Sequence, residues 1–352
     1  MTTTTTAWAA PAADQPLAPI SIARRDVGPT DVRIKVEYCG ICHSDLHTAR
    51  NEWHGSAYPV VPGHEILGSV VAVGDSVTRF GIGDRVGVGC MVDSCGTCPE
   101  CLDGLQNYCR NGALMTYNSV DPTGTEPRTY GGYSGEMVVT EGFVVKIPDG
   151  IDSAAAAPIL CAGITMYSPL RRWQVGPGAH VAVAGFGGLG SMGVKLAKAL
   201  GAEVTVLSRS DRKAEEIRKA GADHVLLSTD RAAMSAAQRT FDVILSTIPS
   251  THDMNPYLRL LKRDGTYVVL GAIEPITDPV VGGLLAGRRV NIGGSMIGGI
   301  PETQEVLDFC AEHGIASDVQ VIGVDGINAA YDHIASGDPG FRYVIDMSTI
   351  GA

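Results

Sequence analysis

Short apolar-polar alternations broken by glycine and proline fill the first part of the chain. Residues 32–37 (V-R-I-K-V-E), 68–73 (G-S-V-V-A-V) and 136–140 (E-M-V-V-T) each read as a half-buried strand. Residues 73–86 form a turn-rich link between two strands. Up to about residue 155 this pattern predicts a partly open β-barrel with long loops. From Gly178 the period changes. The strand A-H-V-A-V-A meets a glycine turn and then a helix, and strand-like runs follow at 224–227, 241–247, 265–271 and 289–295. A helix is expected over 212–220. Alternating β and α at this spacing predicts a doubly wound parallel sheet, making the chain α/β. A further helix is expected over 301–313, then a mixed tail containing F-R-Y-V-I-D-M from Phe341. The expected domains are residues 1–158, 159–296 and a return of 297–352 to the first.

Composition narrows the class. With 352 residues, 45% of them hydrophobic and 18% charged, the chain is long enough for about two cores. A net charge of -11 argues against a nucleic-acid partner. No apolar run reaches the ~18–20 residues that span a bilayer, so no membrane role is expected. The start lacks a basic and apolar leader, and its threonine run reads as a frayed end. Nine cysteines without such a leader fit a reducing, cytoplasmic compartment.

Cys95, Cys98, Cys101 and Cys109 fall within one short loop. Thiols at this spacing fit a closed tetrahedral zinc site, with a disulfide pair the alternative. The run 185–190 is G-x-G-x-x-G after an apolar strand and before a helix. There Gly185, Gly187, Gly188, Leu189 and Gly190 could cradle a pyrophosphate, the alternative being a glycine-rich turn without a ligand. An NAD site usually carries an acid about 20 residues later. This chain has Ser208, Arg209 and Ser210 there, with Lys213 following and Asp211 read as a helix cap. Hydroxyls and cations suit a 2′-phosphate, which points to NADP(H). A second set of ligand types comprises Cys42, His64, Glu65 and Cys161, although a lone buried Cys161 would ordinarily be core packing.

The segments C-G-I-C-H-S-D-L-H from Cys39, Y-P-V-V-P-G-H-E-I-L-G from Tyr58, the cysteine loop, Y-G-G-Y-S from Tyr130, A-P-I-L-C-A-G-I-T from Ala157 and G-F-G-G-L-G from Gly185 carry a resemblance. The chain resembles the zinc-dependent medium-chain alcohol dehydrogenases. More narrowly, it resembles the cinnamyl-alcohol-dehydrogenase-like branch with its bacterial NADPH aldehyde reductases. That resemblance implies a GroES-like catalytic domain plus a Rossmann domain. It also implies one catalytic and one structural zinc ion. Cys42, His64 and Cys161 then match catalytic zinc ligands, and Glu65 a carboxylate able to replace water on the metal. Asp45 matches the partner of the histidine ligand, and Ser44 and His47 a proton relay. His43 and Thr165 match positions near the cofactor. Trp53, Met115 and Ile297 are substrate-pocket candidates, with a merely packing role for Trp53 equally open. Met115 stands where plant lignin enzymes often carry Trp, so a broad range of aldehydes and primary alcohols is expected. Cys39, Cys90 and Cys310 match no ligand position and read as packing residues. The family is often dimeric, and the stretch from Gly283 could extend a sheet across a homodimer. Two rival readings are an NAD-linked polyol dehydrogenase, which lacks its acid here, and a non-enzymatic zinc-stabilised binding protein. The latter leaves the Cys42 set without a purpose.

Overall fold

Strand formation begins at the first described residues of this computed structural model, which describes residues 3–271, 274–337 and 341–351. The expected frayed end is a strand instead. Thr3–Ala9 pairs antiparallel with Ala18–Arg24 in seven-residue register. β-branched threonines favour the extended backbone, and the ladder supplies the hydrogen bonds that fraying would lose.

Two compact units divide the chain: residues 1–161 with 298–352, and residues 162–297. In the first unit the central strand is Asp31–Gly40. It pairs antiparallel with Ile66–Val73, Glu136–Thr140 and Arg342–Asp346. Arg85–Val88 and Val145–Lys146 extend one side, while Val319–Ile322 closes the other through parallel pairing. Register shifts at two points between Asp31–Gly40 and Ile66–Val73 bend this pair. Ile34, Ile66, Leu67, Val86 and Val344 are fully buried along it. The helix expected from Pro301 runs Ile300–His313. Pro301 sits in its first turn, the Glu302 carboxylate accepts the Gly299 N–H at 3.3 Å, and Gly314 ends it at φ 63°.

The second unit is a six-stranded parallel sheet. Its order is His224–Leu227, Glu203–Ser208, His180–Ala184, Phe241–Ser246, Leu261–Val269, Asn291–Gly294. This is the 3-2-1-4-5-6 winding of a dinucleotide fold, whose strand order reverses beside His180–Ala184. Val181, Ala182, Val183 and Ala184 are all buried, as a strand covered on both faces requires. The helix expected over 212–220 is shorter, Ala214–Lys219, with Lys213 at the cap position. Asp211 therefore does not cap it by side chain; its carbonyl accepts the Ala214 N–H at 2.8 Å.

Candidate metal centres and nucleotide turn

Cys42 stands at the entrance of the helix His43–Ala49 in extended conformation. Its N–H donates to Asp45 Oδ2 at 2.9 Å. Asp45, fully buried, also accepts from the Gly63 N–H at 2.9 Å and from His64 Nδ1 at 3.0 Å. One carboxylate thus ties the helix start to the His64 turn. It fixes the imidazole so that Nε2 is left for the cluster. Burial works against a charged His64, but Asp45 outweighs it and raises its pKa well above the usual value.

Cys161 follows the single turn Ala157–Leu160 and ends the first unit. Its sulfur lies 3.9 Å from that of Cys42. One ligand atom each from Cys42, His64, Glu65 and Cys161 all fall within 4.8 Å of one another. Tetrahedral zinc with ~2.3 Å thiolate bonds places its sulfurs about 3.8 Å apart, so the spacing fits such an ion. The hydrogen bond between the two thiols holds the Cys42 pKa well down, with help from Arg342 and His64. Glu65 is fully buried, and one of its oxygens is bonded to Arg342. The other has no partner among the described residues. An orphaned buried carboxylate oxygen beside two thiols and an imidazole is the donor set of a cation site. A side chain at Gly40 would run into this carboxylate, which accounts for glycine there.

Sequence reasoning missed Arg342, which lies 277 residues from its carboxylate partner and carries no local pattern. Cys90 stays outside both metal-capable clusters, its sulfur 3.9 Å from the Leu160 carbonyl. It lies beside Cys161, whose hydrogen bond lowers its pKa, and it acts electrostatically on His64. Cys39 and Cys310 are buried thiols pushed up by burial, Cys310 to about 12.

Ser44 Oγ is 3.7 Å from Cys42 Sγ. His47 sits one turn further on the same helix, its ring 5.7 Å from that of His43 and 5.3 Å from that of Trp53. Its Nδ1 is bonded to Glu52, while its buried Nε2 has no partner. No direct bond joins Ser44 to His47 among the described residues. Trp53 and Met115 are partly exposed, at 44% and 37%, and His54 is an exposed loop residue. In the second unit, Thr165 is buried on the helix Ala162–Arg172. Ile297 takes a left-handed φ of 42°, strained for a β-branched residue.

The four loop cysteines converge as well, with one atom each within 4.8 Å of the others. Cys95 and Cys101 sulfurs are 3.9 Å apart, and those of Cys98 and Cys109 are 4.0 Å apart. No disulfide links them. The Cys98 N–H reaches the Cys95 sulfur at 3.4 Å. Backbone N–H groups of Thr97 and Cys98 hold the Cys95 pKa down to about 6, favouring the ligating thiolate.

At the nucleotide turn Gly185 has φ 97°, and a side chain there would strike the Thr247 hydroxyl. A side chain at Gly190 would meet the Gly185 carbonyl, where helix and strand close tightly. The space beyond Gly187 is open. An open cradle at the head of the helix Gly188–Ala199 fits a pyrophosphate. Ser208 ends the next strand, its hydroxyl donating to the Ser210 carbonyl at 2.7 Å, and Arg209 and Ser210 are exposed.

Two family models match the chain: an alcohol dehydrogenase GroES-like domain over residues 28–149 and a zinc-binding dehydrogenase domain over residues 188–312. Aldehyde reductase YahK of Escherichia coli is 54% identical over 341 residues, covering 96% of this chain and 97% of that protein. A solved cinnamyl alcohol dehydrogenase, SbCAD4 from Sorghum bicolor, matches with a TM-score of 0.94 at 43% identity, covering 98% of both chains. The CAD from Helicobacter pylori complexed with NADP(H) matches with a TM-score of 0.92 at 40% identity, covering 99% of both. The chain belongs to the zinc-binding alcohol dehydrogenase family, within its cinnamyl-alcohol-dehydrogenase-like branch.

Proposed function

We propose that this protein is an NADP(H)-dependent alcohol dehydrogenase and aldehyde reductase acting on a broad range of aldehydes and primary alcohols. The observation that carries the reading is the convergence of Cys42, His64, Glu65 and Cys161 on one ion-sized space. Zinc bound by Cys42, His64 and Cys161 would supply Lewis-acid polarisation of a carbonyl, and NADPH would supply the hydride. The chain's own residues do the rest. Asp45 fixes the His64 ring by its hydrogen bond, and Arg342 balances the buried Glu65 charge. The Ser44 hydroxyl can both donate and accept, so it can hand a proton to the product oxygen. His47 would take that proton onward from its buried, unpartnered Nε2 side, while its Nδ1 is bonded to the exposed Glu52 at the surface. The open turn at Gly187 receives the pyrophosphate, with His43 and Thr165 as further cofactor contacts.

Ser208, Arg209, Ser210 and Lys213 are assigned to the 2′-phosphate. The CAD complexed with NADP(H) supports that choice. Trp53, Met115 and Ile297 are assigned to the substrate pocket, and Cys95, Cys98, Cys101 and Cys109 to a structural zinc ion. Homodimerisation through the edge strand Asn291–Gly294, where Ile292 is exposed, accompanies this reading. So does residence in a reducing compartment, where nine free thiols would persist.

The test is a panel of aromatic and aliphatic aldehydes with NADPH and NADH. NADPH turnover across the panel is expected, with Arg209→Ala raising KM for NADPH by roughly tenfold or more. Turnover with NADH alone would overturn the cofactor assignment.

A further inference from the structure

Three arginines outside the dehydrogenase machinery meet at the opposite pole of the parallel sheet. Arg239 lies just before the strand Phe241–Ser246, and Arg259 just before Leu261–Val269. Arg288 ends the helix Gly282–Arg288 that leads into Asn291–Gly294. These strands are consecutive neighbours in the sheet. All three arginines therefore sit where strands begin, whereas the glycine turn follows the end of His180–Ala184.

They converge on one backbone group. The Arg259 carbonyl accepts from Arg288 Nη1 at 2.6 Å and from the Arg239 N–H at 3.3 Å. Arg288 Nη2 donates to Gln238 Oε1 at 2.8 Å. This anchors the Arg288 guanidinium with its charge uncompensated. Arg239 takes a left-handed φ of 61°, a conformation that costs a non-glycine residue energy. The guanidinium groups of Arg239 and Arg259 are exposed and have no side-chain partner among the described residues. Burial, with the charges of Arg239 and Arg259, lowers the pKa of Arg288.

Among the described residues none of these three arginines forms an ion pair, in contrast to its surroundings. Nearby cations of the same unit are matched: Lys262 with Asp242, Arg289 with Asp264, Lys198 with Asp223. In a chain of net charge -11, three arginines joined through one backbone carbonyl, with no carboxylate partner among the described residues, present donors to an outside anion. Guanidinium forks match the oxygen geometry of phosphate in particular.

We propose that Arg239, Arg259 and Arg288 form a binding site for a phosphate-type dianion, separate from the dinucleotide turn. The ligand is either free inorganic phosphate or the terminal group of a phosphomonoester.

The test uses the full-length, zinc-loaded protein saturated with NADPH, so that the cofactor's own phosphate site is filled. The 31P resonance of added inorganic phosphate is followed during titration. Saturable broadening is expected in the parent. It should weaken by about tenfold or more in Arg239→Asn/Arg259→Gln, and persist in Arg209→Gln. Asn tolerates the left-handed backbone at 239. The single variant Arg259→Gln, whose side chain makes no internal bond, provides the same reading if the double variant fails to fold. Competition by glycerol 3-phosphate would assign the site to phosphomonoesters, and its failure to compete would assign it to free phosphate. Absence of saturable broadening in the parent, or its survival in Arg259→Gln and the double variant, overturns the proposal, as does its loss in Arg209→Gln alone.

Discussion

The guanidinium of Arg342 is bonded to the carboxylate of Glu65, and side-chain exposures of 11% and 0% place both groups out of water. Removing one partner of a buried pair leaves an uncompensated charge, which costs about 3–5 kcal/mol. Arg342→Met should therefore lower stability by that order, and Glu65→Gln/Arg342→Met should recover much of it. Urea unfolding of the four members of the cycle measures the coupling. Simple additivity would contradict the pairing.

Ser44 and Cys42 lie two residues apart yet have separable roles in the proposed chemistry. Ser44→Ala should cut turnover by roughly 10²-fold while the protein keeps both zinc ions. Cys42→Ser should lose one zinc ion and activity together. Metal analysis beside steady-state kinetics makes the distinction, and full activity in Cys42→Ser would refute the ligand assignment.

The cysteine lobe has its own readout. Its helix Pro99–Leu102 is only four residues long, too short to hold itself together. Cys98→Ser should reduce bound zinc from two ions to one and lower the melting midpoint by roughly 5 °C or more. Limited proteolysis should cut first between Cys95 and Cys109. Unchanged metal content would contradict a four-thiolate site.

Arg24 is 9% exposed and braces the loop that backs the His64 turn. It donates to the carbonyls of Tyr130, Gly131 and Glu136 at 2.8, 3.0 and 2.9 Å, and to Ser134 Oγ at 2.6 Å. The N–H groups of Gly131 and Gly132 in turn bond the carbonyls of Val61 and Gly63 at 2.9 Å each. Burial lowers its pKa to about 10, so it remains charged near neutrality. Arg24→Met strands these acceptors and should cost about 3 kcal/mol, read by thermal unfolding, with faster zinc loss to a chelator. A change below ~0.5 kcal/mol would contradict the bracing role.

Local signals made much of the architecture legible. The apolar strand before Gly185 and the helix after it appear where the period changes, because close backbone approach at that turn requires glycine. The cysteine loop was readable because all four thiols lie within 15 residues of chain, so local turns bring them together. The helix near Lys213 was misjudged at its start because Asp211 uses its carbonyl, and side-chain identity does not specify that choice. The threonine run was misjudged because its strand depends on a partner that arrives with residues 18–24.

Sequence alone determined the residue types and the periods: which segments alternate, where glycine relieves a turn, and which thiols and imidazoles exist to bind a metal. Tertiary structure decided which distant groups share one space. Cys161 meets Cys42 at 3.9 Å across 119 residues, and Arg342 reaches Glu65 only because Arg342–Asp346 joins the sheet of Asp31–Gly40. Electrostatic pairing and ion-sized geometry depend on separation in space, and chain distance carries no measure of that.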